Sequence, residues 1–296
     1  MYKEIVERLC CPVCGRQFSL NAVKWEGEEI LEGNLECSGG HRFRIAEGVI
    51  DFQSQEQQDM NSWSEYYKET DYEELDRQIE ARMSETQRKK GELAISAILK
   101  EIRSKEPGTV LDIACGRGML LRELIPVLKT GTELIAADLS FDVLKYDRLK
   151  YGKLNPDVHV TYIACDATNL PLKAGTVDMA VSFYGIANMY IAAGAGVKDA
   201  CRVLKPDGEL LDTFTAIEEA SQAFSILKQY CVENSMEGAE CIVLEQEIEK
   251  LHAEAFSQVE KQLIFEGIGD VKPEESVDLI PYWQEKYRDI LFLSSK

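Results

Sequence analysis

Five short apolar segments recur between residues 109 and 215, and most end in Gly, Asp or Ser: "TVLDIACG", "ELIAADLS", "VHVTYIACD", "VDMAVSFYG" and "GELLDTFT". Helical segments separate most of them. Apolar runs of this length suit strands buried on both faces, and their alternation with helices makes the sheet parallel. This rhythm confines the chain to an α/β, doubly wound architecture. Ligands of such sheets bind beyond the carboxyl ends of the strands, so the residues at those ends carry the functional information.

The first segment closes in "LDIACGRGML". Gly116 and Gly118 let the backbone turn sharply and approach a ligand. A dinucleotide fingerprint places a third glycine at position 121, which is Leu121 here. Asp112 puts a carboxylate where a pyrophosphate would dock, and it suits a ligand with a positive amino group instead. The second segment ends in Asp138, about twenty residues after the glycine loop, where a carboxylate can accept both hydroxyls of a ribose. The third ends in "ACDATNLPL". There Asp166 can accept from an adenine amino group, and Ala167 offers a backbone N–H to the ring. The fourth ends in "SFYGIANMY", and the faces of Phe183 and Tyr184 can stabilise a cation at the reactive end. The four ends together fit S-adenosylmethionine, an adenine nucleoside that carries a methionyl cation and no phosphate.

With these segments in hand, the chain resembles the class I S-adenosylmethionine-dependent methyltransferases. "VLDIACGRG" is similar to their glycine-loop motif, "AADLS" to the acidic ribose motif, "CDATNLP" to the adenine motif and "DACRVLKPDGELL" to the late helix–turn–strand motif. The resemblance covers about residues 109–296 and implies a Rossmann-like, seven-stranded sheet whose last strand runs antiparallel. "FSQVEKQLIFEG" and "YRDILFLSSK" would be its last two strands. It implies cofactor contacts at Asp112, Ala114, Gly116, Gly118, Asp138, Leu139, Asp166, Ala167 and Phe183. Tyr66 or Tyr67, in "WSEYYKE", would close over the cofactor, with Tyr67 taken as the contact.

The first fifty residues carry a different device. "LCCPVCGRQF" places Cys11 and Cys14 at C-x2-C spacing, and "LECSGGHRF" places Cys37 and His41 at C-x3-H spacing. Two such knuckles can grip one ion, and the alternation in "VKWEGEEILEGNLEC" reads as a β-hairpin between them. The expected product is a small β-rich zinc ribbon holding one structural zinc on Cys11, Cys14, Cys37 and His41. Four protein ligands leave no open position for catalysis, so the metal compensates for a core too small to stand alone. A redox C-x-x-C would sit at a strand-to-helix junction instead. Cys10 falls one residue early for the knuckle and reads as a spare, buried thiol. The same ligand order and domain order resemble those of bacterial ribosomal-RNA guanine-N1 methyltransferases.

The chain thus divides into a zinc-ribbon module (1–52), a linker with N-terminal helices (53–107) and a methyltransferase domain (108–296). In the linker, Leu93, Ile95, Ile98, Leu99 and Ile102 mark a helix stopped by Pro107-Gly108. An insertion at about 216–240 reads as a substrate lid or a packing helix, with Phe224, Ile226, Leu227 and Tyr230 its apolar positions.

The formal charge of −19 opposes long-range attraction to a polyanion. The ribbon itself carries six Lys/Arg against eight Glu, with Arg42 and Arg44 flanking Phe43 as its single RNA-contact candidate. No run approaches the roughly 18 apolar residues of a membrane helix. The charged start "MYKEIVERLCC" lacks the apolar core of a signal peptide, so the expected compartment is the cytoplasm. Nine cysteines, an odd number, argue against a disulfide framework. Methyl transfer needs placement more than dedicated catalytic groups. None of the three histidines (His41, His159, His252) offers an evident base. Three readings follow: methylation of a small metabolite, methylation of RNA gripped by the ribbon, and cofactor or partner binding without transfer.

Overall fold

Alternating polar and apolar residues fold the N-terminal segment into a meander. β1 (Phe18–Glu26) and β2 (Glu29–Cys37) form a hairpin that turns at Gly27, whose φ of +61° is one that L side chains avoid. β3 (Arg42–Ala46) and β4 (Val49–Asp51) extend it antiparallel. The computed structural model describes residues 1–53, 71–270 and 284–296. Tyr66 and Tyr67 lie outside them.

Two helices follow. Asp71 caps α1 (Tyr72–Arg82), and a Ser84/Gln87 capping box starts α2 (Glu85–Lys105). α2 buries Gly91, Ala94, Ile95, Ile98, Leu99 and Ile102, whereas Leu93 is out of phase with that stripe and exposed. The remainder alternates as the sequence suggested: β5 (Thr109–Ile113), α3 (Met119–Leu124), β6 (Glu133–Asp138), α4 (Phe141–Tyr151), β7 (His159–Ala164), β8 (Val177–Ser182), α5 (Ala193–Val203) and β9 (Leu204–Ile217). Then come α6 (Gln222–Glu233), α7 (Glu245–Ala253), β10 (Gln258–Ile268) and β11 (Lys286–Ser295). β5 is buried at all five positions and sits between β6 and β8, where the strand order reverses.

The strands form one sheet in the order β1-β2-β3-β4-β7-β6-β5-β8-β9-β11-β10. From β7 to β10 this is the expected set, with β11 antiparallel to both neighbours. The count is eleven strands, not seven, because the ribbon hairpins join the same sheet. β4 lies parallel to β7, aligning Val49 with Tyr162, Ile50 with Ile163 and Asp51 with Ala164. This pairing satisfies the backbone groups that β7 would otherwise present as an open edge. The cores merge as well: Met1, Ile5, Leu9, Ile30, Leu35, Ile45, Ile50 and Phe52 pack in one buried cluster with Leu111, Ile135 and Ile163. Polar ties reinforce the junction, among them a bidentate pair from Arg148 on α4 to Glu29 on β2 at 2.7 and 2.6 Å.

The insertion after β9 is only partly what its sequence suggests. Phe224 and Leu227 of α6 are buried in the main core, while Ile226 and Tyr230 lie on the opposite stripe and are exposed. Cys10 is half-buried, not buried. No helix among the described residues is long and apolar enough to cross a membrane.

Candidate active site and metal centre

The carboxyl ends of β5, β6, β7 and β8 meet at the switch point and are joined by backbone bonds. Cys115 N–H donates to Ala137 O (3.0 Å) and Cys165 N–H to Asp138 O (2.9 Å), drawing the ends of β5 and β7 onto β6. On the other side, a Cβ on Gly185 would lie 2.6 Å from the carbonyl oxygens of Ile113 and Ala114, so the turn after β8 presses directly on the glycine loop. The loop is tight. Ala114 takes φ +52°, and Gly118 takes φ +66° with Tyr151 so near that an added Cβ would approach it to 2.6 Å.

Asp138 organises this crest. Its Oδ2 accepts from Gly116 N–H (2.9 Å) and its Oδ1 from Ser140 N–H (2.8 Å). Burial lifts its carboxyl above the usual range, although these backbone donors oppose the shift. Asp112 is fully buried, and neither of its oxygens has a hydrogen-bond partner among the described residues. Burial, and then the charge of Asp138, raise it well above the usual carboxylate range. A buried carboxyl without a donor is a costly feature, and a cationic amine is a partner that would relieve it. Asp166 begins an Asx-type turn, accepting from Thr168 N–H (2.8 Å) and Oγ1 (2.7 Å), with Ala167 half-buried beside it. Leu139 is half-buried, and its carbonyl accepts from the Gln53 side chain. Phe183 stands edge-on to Tyr184 with ring centroids 4.8 Å apart. Of the sequence-predicted cofactor residues, all but Tyr67 are therefore described and clustered at these strand ends.

Two further groups border the crest and carry no sequence signal. Asp76 of α1 reaches the loop through Arg117 (2.8 Å) and also accepts from Lys150 (2.7 Å) and the Tyr146 hydroxyl (3.1 Å). Burial alone would raise Asp76, but Lys150 and Arg117 hold its carboxyl below the usual range. On the β8 side lies a buried polar cluster. Asp289 of β11 is fully buried and accepts from Thr215 Oγ1 (2.6 Å). Lys90 of α2 stands 3.8 Å from Asp289 Oδ2, and its ammonium lies 5.4 and 5.3 Å from the ring centres of Tyr184 and Tyr287. Burial lifts the Asp289 carboxyl, partly offset by Lys90, Thr215 and Tyr184. The histidines lie elsewhere. His159 stacks on Tyr2 at 4.0 Å, and His252 is sealed among Phe214, Phe256 and Phe292, where burial lowers it to about 3.

At the other end of the sheet, Cys11, Cys14, Cys37 and His41 converge, their ligand atoms all within 4.8 Å of one another. Cys14 Sγ lies 3.6 Å from Cys37 Sγ, and His41 Nδ1 lies 3.5 and 3.4 Å from Cys11 Sγ and Cys37 Sγ. A tetrahedral zinc with its usual bond lengths separates sulfurs by roughly 3.8 Å, and sulfur from nitrogen by roughly 3.5 Å. These three separations fit that geometry. Gly39 leaves room for it, since a Cβ there would come within 3.1 to 3.4 Å of three of the four ligand atoms. Nearby, Arg44 is committed to Asp51 (2.8 Å) and lies over the Phe141 ring (4.9 Å).

Residues 110–208 match the methyltransferase domain family. The segment contains the glycine loop, Asp138, Asp166 and the aromatic pair. A demethylmenaquinone methyltransferase of Corynebacterium kroppenstedtii is 32% identical over 114 residues, which cover 38% of this chain and 44% of that protein. The ubiquinone/menaquinone biosynthesis C-methyltransferase UbiE of Ectopseudomonas mendocina is 31% identical over 112 residues, covering 38% of this chain and 43% of the relative. The chain thus spans less than half the length of either protein. Among solved structures, the YcgJ protein of Bacillus subtilis aligns over 69% of this chain and 98% of its own, with 15% identity and a TM-score of 0.49.

Proposed function

We propose that the protein transfers a methyl group from S-adenosylmethionine to a small-molecule acceptor in the cytoplasm. The observation that carries this reading is the buried Asp112 beneath the glycine loop, whose carboxyl has no hydrogen-bond partner among the described residues, on the same crest as Asp138, Asp166 and Phe183. Asp112 would face the amino group, Asp138 the ribose hydroxyls, and Asp166 with Ala167 the adenine. Phe183 and Tyr184 would flank the reactive end. When bound, the cofactor supplies a sulfonium methyl group: its carbon–sulfur bond breaks as the acceptor–methyl bond forms, and the bonding pair leaves on a neutral sulfur. The chain's own contribution is mainly placement, which can supply most of the acceleration of such a displacement. An acceptor that loses a proton needs a base, and Asp289 is the candidate. A carboxylate there would take that proton and become a neutral acid, leaving the Lys90 ammonium, 3.8 Å away, against the ring faces of Tyr184 and Tyr287.

Two observations support a small acceptor. The relatives that match the domain are named for methylation in quinone biosynthesis. The ribbon is net acidic, and Arg44, half of its RNA-contact candidate pair, is occupied by Asp51 and Phe141. We read Cys11, Cys14, Cys37 and His41 as a structural zinc site.

Calorimetry tests the cofactor assignment. S-adenosylhomocysteine is expected to bind in the micromolar range and to lose about tenfold or more, ~1.4 kcal/mol, in Asp138→Ala. No binding by the intact protein overturns the assignment. Tritium transfer from labelled cofactor into fractionated extract tests the acceptor: label in the small-molecule pool is expected, and label in RNA overturns that part.

A further inference from the structure

Between the ribbon and the end of β7 lies a pocket of about 250 Å³ that neither part forms alone. Pro12 and Val13 of the cysteine knuckle, together with Phe43 and Phe52, make one side. Cys165, Asp166 and Asn169 make the other, and Gln53, whose side chain donates to Leu139 O, closes the end towards β6. Apolar and aromatic walls with one carboxylate and two amides suit a flat, polar-edged ring.

The two sides are sewn together along the segment that follows Asp166. Cys10 N–H donates to Pro171 O (3.0 Å), Lys173 N–H to Arg8 O (2.8 Å) and Asn169 Nδ2 to Pro12 O (3.1 Å). Leu9 bridges antiparallel to Leu172, and both are buried. From behind, Arg202 of α5 donates to the carbonyls of Leu170 (2.8 Å) and Leu172 (2.6 Å), and Asp199 accepts from Leu170 N–H (2.7 Å). The segment carrying Asp166 is therefore clamped between α5 and residues 8–12, and residue 12 lies inside the Cys11–Cys14 knuckle. A knuckle without its ion has no covalent reason to keep the shape that presents Pro12 and Val13.

We infer that this pocket is the adenine subsite, that the cysteine knuckle is one of its walls, and that metal at the tetrad and cofactor in the pocket therefore strengthen each other's binding. This rests on the cofactor reading given above and extends it, because it makes the ribbon part of the cofactor site. Linkage requires the coupling to be reciprocal: whatever factor the metal adds to cofactor affinity, the cofactor adds to metal affinity.

The experiment uses the full chain with S-adenosylhomocysteine as the probe. Calorimetry on zinc-replete protein, on chelator-stripped protein and on stripped protein restored with zinc is expected to show affinity falling about tenfold and then returning. In the reciprocal direction, S-adenosylhomocysteine is expected to slow zinc transfer to a chromogenic chelator about tenfold. Asn169→Ala removes the bond to Pro12 without touching a metal ligand. It keeps both bound species measurable if the stripped protein unfolds, and it is expected to lower both effects to about threefold or less. S-inosylhomocysteine, which lacks the adenine amino group, should bind more weakly than S-adenosylhomocysteine to the wild type, and Asn169→Ala should narrow that gap. Affinity for S-adenosylhomocysteine that stays within twofold across all zinc states, with zinc release indifferent to it, overturns the inference and leaves the cofactor assignment standing. Failure of the replete protein to bind S-adenosylhomocysteine overturns both.

Discussion

Arg148 and Glu29 make the sharpest test of the finding that ribbon and methyltransferase domain are one body. Their two hydrogen bonds are 2.7 and 2.6 Å long, and the side chains are 10% and 15% exposed. Breaking a fully buried ion pair from one side costs about 3–5 kcal/mol, because the remaining charge is stranded. Some water still reaches this pair, so Arg148→Met should cost about 2–3 kcal/mol. Glu29 also lies 3.4 Å from the buried amino group of Met1, so Glu29→Gln alone mixes two losses. A double-mutant cycle cancels that second partner and should return a coupling of about 1–3 kcal/mol. Urea unfolding is the assay. Near pH 7, one transition should move to lower urea by about 1 M, given a slope of about 3 kcal/mol/M. Burial alone would raise Glu29, but Arg148 and the amino terminus pull its folded pKa below the usual range. The coupling is therefore fully present above the unfolded value of about 4.3 and is lost as pH falls through the lower folded value. A coupling below about 0.5 kcal/mol at pH 7, or a separate early transition for the ribbon, would refute the reasoning.

Gly118→Ala combines a left-handed backbone with a Cβ 2.6 Å from Tyr151 and 3.0 Å from Asp147. It should cost about 2–4 kcal/mol in chemical denaturation. Asp289→Asn should flatten the acidic limb of the methyl-transfer rate against pH. A proton acceptor works only when ionised, so activity rises with pH through its lifted pKa, and an unchanged profile removes Asp289 from the proton path. Elemental analysis should find about one zinc per chain, lost in Cys14→Ser; metal-free protein with an intact fold would exclude the structural role.

Much of the site was legible because its chemistry sits where strand patterns stop. Asp138 and Asp166 each close an apolar run and Asp112 interrupts one just before the glycine loop, and that local contrast needs no knowledge of the fold. The ribbon's place was not legible. β4 is three residues long, and its partner β7 begins more than a hundred residues later, so no periodicity announces the pairing. Asp289 and Lys90 were hidden for the same reason: they meet where α2 packs on β11, two elements far apart in the chain. In α6, the sequence suggested a lid or a packing helix with four apolar positions, and helical phase divides those four. Phe224 and Leu227 point to the core, while Ile226 and Tyr230 lie a stripe away. Leu93 was misjudged by the same kind of phase error.

The junction of β4 and β7 also limits how this protein can be cut. A fragment beginning at residue 53 would expose the backbone of Tyr162, Ile163 and Ala164, together with the apolar surface now covered by Met1, Ile5 and Leu9. Such an edge is a template for other chains, so the fragment should aggregate even with every proposed cofactor residue intact. The intact sheet ends instead on β1, whose register slips near Ala22, Lys24 and Trp25. A graft that exchanges the ribbon for another module must therefore supply a strand for β7 as well as a fold of its own.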